Sequence, residues 1–101
     1  MKLLLSPLAA DDLHSIHSYI SEELDNQSAA SRLIKDIVKA YKQLKDTPFI
    51  GAPLDTKIDI KTDFRYLVCR GYMIFYKVDC DAVYIYRIIN CRRDYCRIMF
   101  R

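Results

Sequence analysis

Apolar positions recur along the chain in two rhythms, and the change from one to the other divides it. Ala9, Leu13, Ile16, Ile20 and Leu24 follow steps of three and four, the period of one helix face. Ser6-Pro7 precedes them, and serine caps a helix while proline suits its first turn. A helix over residues 7–24 is predicted, with Asp11 and Asp12 near the positive end of its dipole. Asp25-Asn26 breaks the pattern. A second stripe, Ala30, Leu33, Ile34, Ile37, Val38, Tyr41 and Leu44, predicts another helix that stops at Thr47-Pro48, because the residue before proline avoids helical geometry. Two helices joined by so short a loop lie antiparallel.

After Gly51-Ala52-Pro53 the rhythm changes. FRYLVCR (64–70), YMIFYKV (72–78) and AVYIYRII (82–89) are aromatic and β-branched, which favours strands. Asp79-Cys80-Asp81 makes a turn between the last two. KLLL (2–5) reads as a further strand and KIDI (57–60) as a marginal one. Short links make the successive strands antiparallel. The expected class is therefore α+β: an N-terminal helix hairpin packed on one face of a small antiparallel sheet. The tail CRIMF (96–100) is open to either helical or extended structure.

The central strands are apolar on both faces. Tyr72, Ile74, Tyr76 and Val78 alternate with Met73 and Phe75. The helices cover one face, and large apolar patches rarely stay exposed. The second face therefore calls either for a protein partner or for the tail.

Composition narrows the class. The 101 residues suit one domain spanning 1–101, and a hydrophobic fraction of 51% supplies a core. No apolar run approaches the roughly 20 residues of a membrane-spanning helix. Lys2 and Leu3–Leu5 mimic the start of an export signal, but the apolar part is short and Asp11 and Asp12 follow at once. A cytoplasmic protein is expected, with no membrane contact and with Cys69, Cys80, Cys91 and Cys96 as free thiols.

No metal or cofactor is expected. The cysteines lack the paired spacing of structural zinc sites. His14 and His17 follow Asp11 at three-residue steps, which wrap around a helix where ligand pairs use four. Two glycines make no phosphate loop, and no nucleophile motif is present.

Charge is more informative. The net charge is +3, but residues 87–101 hold Arg87, Arg92, Arg93, Arg97 and Arg101 against Asp94 alone. That end suits an anionic partner. Arg65, Arg87, Arg92 and Arg93, with Tyr72 and Tyr95, are the candidate site residues. Should the sheet bring Arg65 beside Arg92-Arg93, three guanidiniums converge. Such a cluster grips phosphate in bidentate fashion or an acidic protein segment. The alternative is a set of ion pairs with Asp63 and Asp94 that fixes a loop.

These segments, taken in order, resemble the RelE/ParE superfamily of toxins from bacterial type II toxin–antitoxin modules. SPLAADDLHSIHSYI is similar to its opening helix, AASRLIKDIVKAYKQLKDTPFIGAPL to its helix hairpin, and FRYLVCRGYMIFYKVDCDAVYIYRIINCRRDY to its strands and arginine-rich ending. The resemblance implies two helices on a sheet and a partner antitoxin. RelE-like members cut mRNA on the ribosome without metal; ParE-like members inhibit DNA gyrase. For a nuclease, the resemblance places Arg93 at the catalytic arginine and Arg65 at a basic residue opening the middle strand, with Tyr95 or Asp94 left for proton transfer. Met73 and Leu67 stand where such nucleases carry arginine and lysine, and no histidine lies near. The Arg-Arg-Asp-Tyr ending and Tyr-Met-Ile-Phe-Tyr strand look more like ParE. The expectation is a toxin that acts by binding gyrase rather than as an enzyme. A ribosome-dependent mRNA endonuclease and a homologue that only binds its antitoxin are the alternatives.

Overall fold

The computed structural model describes residues 1–100; Arg101, counted above in the basic end, lies outside them. Strand β1 (Lys2–Leu5) leads into α1 (Pro7–Ser18), a π-turn (Tyr19–Glu23) and α2 (Gln27–Lys42), which ends in a 3-10 turn (Gln43–Lys45). A two-residue strand β2 (Ala52–Pro53) and a second 3-10 turn (Leu54–Thr56) precede β3 (Arg65–Cys69), β4 (Tyr72–Val78), β5 (Ala82–Asn90) and a short α3 (Tyr95–Met99).

Local chemistry sets these limits. The Ser6 hydroxyl oxygen accepts from Ala9 N at 3.0 Å, capping α1, and its proton goes to Tyr86 O at 2.6 Å. One side chain thus starts the helix and fastens it to β5. Asn26 Oδ1 caps α2 through Ala29 N at 3.0 Å, next to Asp25 at φ 49°. Asp11 and Asp12 fall one turn inside α1 rather than in its first turn. The helical path reaches Glu23 as predicted, although its last turn widens to the π form.

The sheet order is β1-β5-β4-β3-β2. Strands β2 to β5 form an antiparallel meander, but β1 runs parallel to β5, pairing Lys2 with Ala82 and Leu5 with Ile85. The sheet is mixed, not wholly antiparallel as expected. Hairpin loops fix the direction of β3 to β5, whereas β1 joins no strand by a turn. The β3–β4 loop is Arg70-Gly71, at φ 50° and 83°, positive at both central positions as a type I′ hairpin requires. KIDI forms no strand. Its place at the sheet edge goes to Ala52–Pro53, a position where proline's missing N–H is tolerated.

Each face of the sheet has its own core. Ile74, Tyr76, Val83, Ile85 and Ile88 pack under Leu33, Ile37, Tyr41 and Leu44 of the helical hairpin. On the other face Met73, Phe75, Ile89 and Leu54 are buried beneath Phe64, Tyr95, Ile98, Met99 and Phe100. The tail and the 54–64 loop, not a partner, cover that face. Of the two covers considered, the tail is the one found: α3 is short, but with the 54–64 loop its apolar side chains pack over the patch.

Candidate functional site

Strand β5 delivers the chain to the basic end and bends as it does so. Phe75 pairs with Arg87 and Tyr76 with Ile85, which leaves Tyr86 as the extra residue of a β-bulge. Bulges redirect side chains, and here Arg87 reaches α1. Its Nε and one terminal nitrogen donate to Asp12 at 2.8 and 2.9 Å. The Ile88 N–H donates to the same carboxylate at 2.9 Å. The pair is largely shielded, at 19% and 14% side-chain exposure. The hydrogen bond to Asp12 holds the Arg87 pKa above its ordinary value against the opposing effect of burial. Arg87 is thus a clamp between α1 and β5, and its charge is already balanced.

Beyond Asn90 the chain turns tightly. Cys91 N donates to Gly71 O at 2.9 Å and Arg93 N to Asn90 O at 3.0 Å. Asn90 Oδ1 takes Arg92 N at 2.9 Å, and Asp94 Oδ1 caps α3 through Arg97 N at 3.3 Å. The backbone is pinned while the side chains of Arg92 and Arg93 stay exposed. Among the described residues neither forms a salt bridge, and nor does Arg97.

Two depressions meet at this turn. One, of about 700 Å³, lies between α1 and the ends of β4 and β5, with Ile16, Tyr19, Tyr72, Asn90, Arg92 and Arg93 in its lining. The other, of about 480 Å³, is lined by Arg87, Arg93, Asp94, Arg97 and Ile98. Arg87 and Arg93 border both. Four of the six candidate residues, Tyr72, Arg87, Arg92 and Arg93, therefore gather in one place. The arrangement offers cations around an apolar and aromatic floor.

The remaining two do not join them. Arg65 lies opposite Tyr76, four positions along β4 from Tyr72, which marks the Asn90 end. Its terminal nitrogen donates to Phe49 O at 3.2 Å and Gly51 O at 2.5 Å. The guanidinium also lies over the Phe49 ring, 5.0 Å from the centroid. The condition for convergence with Arg92-Arg93 is not met, because the strand register places Arg65 toward the other end of the sheet. Tyr95 is turned inward, 5.5 Å from Phe75 between ring centres. Sequence reasoning overlooked Tyr19, which lies at the π-turn after α1. It counted Arg97 only as net charge; that arginine's place within α3 was hidden until the tail's helix was known.

Among the described residues one group could offer three metal ligands: Asp79, Cys80 and Asp81, all exposed in the β4–β5 turn. Asp79 Oδ1 already accepts from Cys80 N at 2.7 Å, an ordinary turn bond. The four cysteines are unpaired, and burial, aided by the nearby Asp36 charge, pushes the Cys69 thiol up.

A sequence model described as the ParE toxin of type II toxin–antitoxin systems (parDE) matches residues 3–95. The chain belongs to the ParE toxin family. A solved chain from the chromosomal ParDE TA system of P. aeruginosa superposes with a TM-score of 0.75 at 24% identity, covering 89% of this chain and 95% of that one. The likeness extends to the whole two-helix, mixed-sheet fold. A search of curated proteins found no significant match. Within this ParE fold, the matched segment includes α1, the bulged β5 and the Arg92-Arg93 turn, and it ends where α3 begins. No helix among the described residues is long and apolar enough to cross a membrane.

Proposed function

We propose that this ParE toxin acts in the cytoplasm by binding, with DNA gyrase as its target, and that a cognate antitoxin neutralises it. The observation that carries this reading is the pinned turn whose Arg92 and Arg93 are exposed, and without a salt bridge among the described residues, beside the groove of Ile16, Tyr19 and Tyr72. Unpaired guanidiniums next to apolar and aromatic side chains suit a protein segment that mixes carboxylates with apolar anchors. Binding there needs no acid–base group. The separation of Arg65 from Arg93 and the inward packing of Tyr95 count against the nuclease alternative, which asks these three to act on one phosphodiester.

The test pairs two assays on the purified chain. Inhibition of gyrase supercoiling is expected, and Arg92→Gln with Arg93→Gln abolishes it without unfolding the protein. Cleavage of ribosome-bound mRNA that disappears in Arg93→Gln would replace this reading with the endonuclease. Inactivity in both assays with antitoxin binding intact would leave only the antitoxin-binding role.

A further inference from the structure

The outer face of α2 carries charge that the binding turn does not use. Arg32, Lys35, Lys39 and Lys42 recur at steps of three, four and three, which sets them in one stripe along the helix. All four are exposed. The stripe lies opposite the buried stripe of Ala30, Leu33, Ile37 and Tyr41. Among the described residues none of the four forms a salt bridge. The single acidic residue of α2, Asp36, is taken by Arg70 at 2.7 Å. Past the helix end Lys42 and Lys45 line a depression of about 830 Å³ together with Lys2 of β1, Asp81 and the apolar Met1, Leu3 and Leu4.

Helix stability does not account for this pattern. Like charges three and four residues apart weaken a helix, and a glutamate among them would strengthen it. The helix dipole favours Lys39 and Lys42 in the last turn but gives nothing to Arg32 and Lys35 in the middle. A local rule broken without a local gain points to a use at the surface.

We infer that this stripe binds the phosphate backbone of duplex nucleic acid, without reading its sequence. The stripe is straight and spans about 15 Å from Arg32 to Lys42. Along the helix the stripe contains no apolar or aromatic residue, so over that length it lacks the buried anchors of a protein interface and the stacking platforms of a single-strand site. It also lacks the asparagine and glutamine that read adenine edges. What remains is a row of point charges, which is what phosphate positioning needs. The inference is independent of the proposal for the Arg92-Arg93 turn.

Fluorescence anisotropy with a short labelled duplex of mixed sequence tests it on the full chain. With four phosphate contacts the log–log salt slope is roughly −3.6, a loss of roughly 150-fold between about 50 and 200 mM salt. Lys35→Gln with Lys39→Gln cuts that slope to roughly −1.8. Lys57→Gln with Lys61→Gln removes the same charge from the loop before β3 and leaves the slope in place. Circular dichroism checks that each variant is folded. No duplex binding at about 50 mM salt, or equal losses from both pairs, overturns the inference. So does loss of binding from Arg92→Gln with Arg93→Gln in place of the stripe variant. A stripe variant that weakens only binding to poly-glutamate assigns the surface to an acidic protein and overturns it too.

Discussion

Arginine does opposite work in two parts of one sheet. Toward one end Arg65 donates to the carbonyls of Phe49 and Gly51 and lies over the Phe49 ring. Its charge is spent on holding the loop before β2. At the other end the turn after β5 fixes its own backbone through Asn90, Gly71 and Asp94, and leaves Arg92 and Arg93 exposed. Between the two, Arg87 is consumed by Asp12. The residue type is the same throughout. What separates an anchoring arginine from an exposed one is whether the fold already supplies its guanidinium with acceptors.

The comparison breaks most severely at Gly51. Its N–H donates to the buried Tyr76 hydroxyl at 3.1 Å, while its carbonyl receives Arg65. A Cβ built there meets Tyr66 O at 2.4 Å and the Tyr76 hydroxyl at 2.5 Å. One contact is backbone and the other a fully buried ring, so neither yields easily. Gly51→Ala is expected to cost about 2–4 kcal/mol through overpacking and a lost buried hydrogen bond. A melting temperature lower by roughly 10–25 °C follows for a domain of this size. A shift of only a few degrees means that the loop gives way and Arg65 is no anchor.

A smaller loss is expected at the Arg87 clamp. Asp12→Ala removes both acceptors of the guanidinium and the partner of Ile88 N–H. A fully buried pair broken from one side costs about 3–5 kcal/mol. Some solvent reaches this pair, so about 2–3 kcal/mol is expected. Urea unfolding measures it. Arg87→Ala with Asp12→Ala should recover part of the loss, because no charge is then stranded. A double variant no better than Asp12→Ala contradicts the clamp.

How much of this was legible in the sequence follows from what each signal depends on. The helices and three long strands were readable because periodicity is local: Leu33, Ile37 and Tyr41 declare one face of α2 whatever they touch. Capping at Ser6 was readable for the same reason. The direction of β1 was not, since no turn ties it to β5. KIDI misled because Ile58 and Ile60 alternate like a strand, whereas the 54–64 segment crosses the second sheet face as a loop, with Leu54 as its buried anchor and Ile58 packed beside it. The candidate site was half legible. Arg92 and Arg93 stood out as an adjacent pair, and Tyr72 and Arg87 gather with them. Whether Arg65 would join depended on register, which no single strand's sequence contains. Asp12 offered itself as a helix-dipole residue and proved to be Arg87's partner across 75 positions, a contact invisible to any local pattern.

The smallest expected effect on stability is the sharpest test of the contrast. Arg92→Gln with Arg93→Gln removes two charges that are exposed and, among the described residues, form no salt bridge. The turn around them is held by backbone groups and by Asn90 and Asp94, which the change does not touch. Surface substitutions of this kind stay within about 0.5 kcal/mol, and removing adjacent like charges tends to stabilise slightly. Thermal unfolding of the double variant should therefore match the parent to within a few degrees, while Arg65→Gln, made in parallel, melts clearly lower because its two carbonyl acceptors lose a charged donor. If the double variant loses as much as Arg65→Gln, the terminal arginines are structural after all, and the division between an anchored end and a free end fails.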